Sequence, residues 1–258
     1  MAKNQLHQLL AVESELRNQA AKIYQETIVT FTKKEGHFDG MVRTYEPKIE
    51  GEDVTELPPE IKEVVTTVEE KLEHTEKALT KSIDAQLSKD ETNANGTTRA
   101  EVVIEGDGEE MKLGEFSATS LLSLENTLTK IRALYDAIPT LDPAKKWEED
   151  ETRTGIYKTS EQVTYRTEKQ PQVITLAPAT KEHPAQTQLL SIDKQVGLFR
   201  VVYSSGRITP REKSEKLERI DRLIRAIKKA RARANQSEVL QTKIARQIFS
   251  YINDGYVY

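Results

Sequence analysis

The chain has 258 residues, 36% hydrophobic and 31% charged, with a formal net charge of −4, a length that suits one large domain or two small ones with room for a real core. It contains no cysteine, which excludes disulfides, thiol nucleophiles, iron–sulfur clusters and zinc–thiolate sites and fits a reducing cytoplasm. No stretch approaches the roughly 18 apolar residues of a membrane span, the start has no apolar run of the signal-peptide kind, and the 11 glycines form neither a GxGxxG nor a P-loop arrangement.

Leu6, Leu9, Leu16, Ala20 and Ile23 share one face of a helix expected over 4–27. "TIVTFT" and "MVRTYEP", separated by the glycine-bearing "KKEGHFDG", predict a β-hairpin across 27–46. An acidic linker then ends at Pro58-Pro59, and proline suits the first turn of a helix expected to run to about residue 88. Its apolar stripe is Ile61, Val64, Val68, Leu72, Leu79 and Ile83. "RAEVVIEGDGEEMKLGEF" predicts two strands around Gly-Asp-Gly.

Residues 118–138 read as the most regular helix. Ser117 or Ser120 can cap it, Leu121 through Ile138 form a coiled-coil-like seam, and Pro139 stops it. A charged loop follows. From 155 to 203 the runs "EQVTYRTE", "QVITLAP", "TQLLSID" and "GLFRVVYSS" alternate as strands, with Pro171, Pro178 and Pro184 expected at the turns. Two helices, about 211–234 and 237–251, close the chain.

The sum is an α+β fold: long amphipathic helices forming a bundle, antiparallel β-hairpins, and a β-rich segment near 155–205. The expected organisation is a helical and hairpin domain over 1–144, a β-rich segment or subdomain over 145–209, and C-terminal helices over 210–258 that pack back on the first. A single domain is the alternative.

Charge is unevenly spread. From Arg207 to Arg246 there are 13 basic and 5 acidic residues, against 25 basic and 37 acidic elsewhere, which suggests a partner for the basic part. On a helical projection Leu217, Ile220, Leu223, Ile224 and Ile227 take one side and a basic face takes the other. Glu212, Glu215, Glu218 and Asp221 each precede a base by four residues, the favourable order for helical ion pairs. Lys228, Lys229, Arg231 and Arg233 lack such a partner, and together with Arg225 they form the candidate partner-binding face. Such a face meets either an acidic protein surface such as 148–151 or nucleic acid; no stacking aromatics interleave it, which disfavours the second.

No histidine of the four sits in HExxH or HxH spacing. Glu182 and His183 bring an acid and a base into a proline-restrained loop, though neighbours in an extended segment point opposite ways. The carboxylate runs lack calcium-loop spacing, so no metal and no cofactor is expected. Tyr251, Tyr256 and Tyr258 give the C-terminal "YINDGYVY" an aromatic character suited to an assembly contact.

"LHQLLAVESEL", "AIPTLDPAK", "GIY", "ATKEHPAQ", "ITPREK" and "KKARARAN" together resemble an uncharacterised family of bacterial cytoplasmic proteins of about this length, over most of the chain. The resemblance implies a bacterial or phage setting and one continuous unit, and it brings no activity or catalytic residue. The expectation is therefore a non-enzymatic, cytoplasmic, self-assembling structural protein. It would form a homo-oligomer through helix seams, strand edges and complementary charge, with no membrane partner. The alternatives are a nucleic-acid-associated protein using the basic helix at 225–233, and an enzyme with a site near His183.

Overall fold

The computed structural model describes residues 6–48, 57–105, 110–179 and 183–236, together with 244, 245, 247, 248 and 252. The fold is α+β. In chain order the elements are α1 (Leu6–Lys33), β1 (Asp39–Pro47), β2 (Glu60–Lys62), α2 (Val68–Asn93), β3 (Arg99–Glu105), β4 (Glu110–Ser117), α3 (Ala118–Asp136), β5 (Trp147–Glu149), β6 (Tyr157–Thr159), β7 (Gln162–Ala177), β8 (Gln186–Ser205) and α4 (Pro210–Ala234). Among the described residues no helix is long and apolar enough to cross a membrane.

Contacts divide the chain into two compact units, residues 1–85 with 130–220, and residues 86–129 with 221–258. The first holds a six-stranded antiparallel sheet in the order β2-β1-β8-β6-β5, with β7 also paired to β8. The segment 145–209 thus shares its sheet with β1, which pairs with β8 from Asp39↔Ser205 to Pro47↔Gly197. The core of this unit joins Phe31 of α1, Val68 and Leu72 of α2, Leu134 of α3, and Phe38, Ile138 and Ile208 from the connections. The second unit holds the β3–β4 hairpin and buries Val102, Leu121, Leu128 and Ile227.

The hairpin expected over 27–46 does not form. "TIVTFT" completes α1 instead, and β1 takes β8 as its partner. Three threonines accommodate the helix by bonding back to it: Thr27 Oγ1 donates to the Ile23 carbonyl at 2.9 Å, Thr30 to Glu26 at 2.8 Å, and Thr32 to Ile28 at 2.8 Å. Phe31 is 1% exposed and the Thr27 and Thr75 hydroxyls meet at 2.8 Å. Tertiary burial here overrides the β preference of branched side chains.

The helix expected from Pro59 starts later, at Val68. A reciprocal cap sets the start: the Glu70 amide donates to Thr67 Oγ1 at 3.1 Å, and the Thr67 amide donates to Glu70 Oε2 at 2.9 Å. Ile61, assigned to the helical stripe, lies instead in β2 and is exposed. The same device opens α4 through Thr209 and Glu212, so Glu212 caps the helix. Lys213 Nζ donates to the carbonyls of Asp136 and Ile138 at 2.6 and 3.0 Å, satisfying carbonyls left over at the end of α3. The expected helix 118–138 is found as α3, with Ser117 Oγ accepting from the Ser120 amide at 3.3 Å. Most of the expected helix 237–251 lies outside the described residues.

Pro171, expected at a turn, lies inside a continuous strand. β7 is 16 residues long and β8 is 20, against the usual 3–10. Proline is accepted in an edge strand, where its nitrogen faces away from the partner.

Candidate functional site

The two long strands build the feature that stands out. β8 has two halves. From Gly197 to Ser205 it is flanked by β1 on one side and by β7 and β6 on the other. From Gln186 to Gln195 it pairs with β7 alone among the described residues. The distal half of the hairpin, Thr167–Ala177 against Gln186–Gln195, is a two-stranded ribbon roughly 35 Å long at about 3.4 Å per residue.

The root is clamped. The Lys48 amide donates to the Val196 carbonyl at 3.0 Å, the last such bond from the β1 side among the described residues, and the Tyr45 hydroxyl donates to the same carbonyl at 3.2 Å. The Tyr45 and Phe199 rings are tilted at a centroid distance of 5.1 Å, with the Arg43 guanidinium 3.8 Å above Phe199 and Arg166 over Tyr45. Arg200 donates to Glu46 at 2.7 Å and to Glu161, and these bonds raise its already high pKa. Gly197 makes the packing of Tyr45 over β8 feasible, since a Cβ there would overlap the hydroxyl end of the Tyr45 side chain.

Beyond the root the ribbon is exposed among the described residues. Val173, Leu176 and Leu189 are 61%, 63% and 68% exposed, and Ile174, Leu190 and Ile192 are exposed as well. Opposite residues share a face. Val173 faces Leu189 across the ribbon, while Ile174, Leu190 and Ile192 are interleaved with Gln170, Gln172 and Gln188 on the other face. Two crossed charge pairs, Glu168 opposite Lys194 and Lys169 opposite Asp193, mark the boundary with the root. Past them, Gln170–Ala179 and Pro184–Ile192 contain no charged residue.

The basic end of α4 behaves in the opposite way. Lys228 and Arg231 converge on Glu125 of α3 at 3.7 and 3.1 Å, and the Glu125 side chain is only 15% exposed. Lys229 meets Glu105 of β3 at 2.9 Å, and its hydrogen bond and charge hold the Glu105 carboxyl below the usual range. Arg233 donates to the Glu101 carbonyl at 2.6 Å. Four of the five cations singled out by the sequence thus find partners within their own unit. Arg225 is exposed on α4. The acidic 148–151 segment has other partners: Glu148 pairs with Lys146, and Asp150 pairs with Arg153 and Lys158.

His183 is exposed in the β7–β8 connection. Glu182, Tyr251, Tyr256 and Tyr258 lie outside the described residues. Among the described residues no group of three or more His, Asp or Glu side chains could hold a metal ion. A cleft of about 520 Å³ beside the end of β8 is lined by Lys62, Lys145, Trp147, Tyr203 and the Asp39–Arg207 pair. Arg207 is held by Asp39 (3.0 and 2.6 Å) and Glu35 (3.0 Å), and Lys145 sits 3.7 Å over the Tyr203 ring. Asp39 and Glu35 neutralise Arg207, and the Asp39–Arg207 pair ties the start of β1 to the chain just past β8.

Fold and site together define an α+β protein carrying a long β-ribbon whose outer part, Gln170–Ala177 against Gln186–Ile192, is uncharged and exposed among the described residues. The chain belongs to DUF7873, a family of unknown function whose model matches residues 3–255. No curated protein and no solved structure matches it.

Proposed function

We propose that the protein is a non-enzymatic, self-assembling structural protein of the bacterial cytoplasm, and that the β7–β8 ribbon joins its copies. One observation carries this reading: a two-stranded arm exposes six large aliphatic side chains and carries no charge from Gln170 to Ala177 or from Gln186 to Ile192. An isolated two-stranded hairpin is marginal in water, and long uncharged strands with bare edges are templates for pairing with another chain. Each large aliphatic side chain that becomes fully covered contributes about 1.5–3 kcal/mol. An arm of this composition suits a protein partner and offers nothing to a phosphate backbone, while Lys228, Lys229 and Arg231 of the basic face hold acids of their own chain.

Native mass measurement on the full chain at micromolar concentration, with and without RNA across a salt series, tests the reading. The expected result is an oligomer that survives high salt and that Leu176→Gln with Leu189→Gln reduces to monomer. A strict monomer overturns the reading. RNA binding that weakens steeply with salt, with no oligomer, replaces it.

A further inference from the structure

The ribbon has two backbone edges, and they differ in chemistry. Pro171 stands opposite Ser191 and has no N–H to give. The pair is therefore of the non-hydrogen-bonded kind, and the Pro171 nitrogen faces outward from β7. Backbone direction alternates along a strand, so Gln188, Leu190 and Ile192 bond to β7, while Thr187, Leu189 and Ser191 turn their amides and carbonyls to the other side of β8. The outer edge of β7 is thus interrupted at its middle by a residue without a donor and with a bulky ring. The outer edge of β8 runs from Gln186 to Gln195 with no proline, and no strand among the described residues pairs with it there.

We propose that this β8 edge pairs antiparallel with the same edge of a second copy, about a twofold axis at Leu190, giving a four-stranded β7-β8-β8-β7 sheet. The inference rests on the reading of the ribbon as an assembly element and specifies its geometry. An edge of unpaired amides and carbonyls is satisfied by another strand, and a twofold axis makes one surface serve both partners. The register is self-consistent. Leu189 faces Ser191 of the second copy in a hydrogen-bonded pair, as do Thr187 and Asp193. Leu190 faces its own counterpart in the closer, non-hydrogen-bonded pair, with both Ile192 side chains as diagonal neighbours. The charges at the end of the segment meet none of their own sign: Asp193 lies across from Thr187, and Lys194 from Gln186. The aliphatic side chains of the two ribbons become contiguous on both faces.

The chain has no cysteine, so one introduced thiol reports one position. In Leu190→Cys the thiols of two copies come together, and mild oxidation is expected to give a covalent dimer. Thr175→Cys, on β7, gives none. In Ser191→Pro the lost amide is one that points away from β7, so the ribbon and all its aliphatic side chains stay. The dimer dissociation constant is expected to rise about tenfold or more as the central edge bonds are lost, with the circular dichroism of the chain unchanged. An oligomer in which Leu190→Cys fails to cross-link and Ser191→Pro does not weaken association overturns the edge pairing and leaves ribbon-mediated assembly standing. A chain that is monomeric at micromolar concentration overturns both.

Discussion

The end of α4 and the distal half of the β7–β8 ribbon are opposites. The first gathers Lys228, Lys229, Arg231 and Arg233 within six positions, and each has a partner in its own unit, at Glu125, Glu105 or the Glu101 carbonyl. The second carries no charge from Gln170 to Ala177 or from Gln186 to Ile192, and its aliphatic side chains are exposed among the described residues. Charge density announces itself in a sequence, yet a charged run is easily satisfied by acids distant along the chain. A neutral alternating strand looks ordinary, and only its pairing shows whether anything lies over it. The more conspicuous feature is here the more self-sufficient one.

Breaking the satisfied side has the largest expected effect. Glu125→Ala leaves Lys228 and Arg231 beside a vacated, mostly buried position, and a loss of about 2–3 kcal/mol is expected in urea unfolding. At the ribbon root, Gly197→Ala forces a methyl group into Tyr45 and should cost about 1–3 kcal/mol, seen as a lower unfolding midpoint. Lys229→Ala removes an exposed pair and should change stability by less than about 1 kcal/mol. Its sharper readout is NMR titration of Glu105, whose carboxyl should move up toward the ordinary range once Lys229 is gone. The smallest effect belongs to the bare side. Leu189→Gln should leave the stability of the dissociated chain within about 0.5 kcal/mol, measured at concentrations where copies separate, because Leu189 is exposed among the described residues.

What could be read from the sequence followed the range of the interactions. α3 and the β3–β4 hairpin were legible because Ser117, the leucine spacing and the glycine turn are local signals. Thr67 with Glu70 and Thr209 with Glu212 are capping boxes visible in the sequence, and the first would have placed the start of α2 correctly. The end of α1 was not legible: Thr27, Ile28, Val29 and Thr30 favour strands by themselves, and burial of Phe31 among residues far along the chain decides otherwise. The ribbon was half legible. Its four alternating runs read as strands, while Pro171 by itself signals a turn. The proline is compatible with a strand because no described strand bonds to that edge, and this depends on its pairing with Ser191, twenty residues further along. The partners of the basic helix were equally out of reach, since Glu125 and Glu105 lie about a hundred residues upstream.

Pro171 carries one more consequence. Strand addition at sheet edges is a form of chain growth, and growth without limit gives fibres. A unit with two competent ends propagates; a unit with one competent end and one blocked end can only dimerise and then stop. Given the proposed β8 edge pairing, Pro171 would make the ribbon monofunctional in the polymer chemist's sense, and assembly would close at two however high the concentration rises. On this view Pro171→Thr would be the substitution that turns a finite complex into a filament.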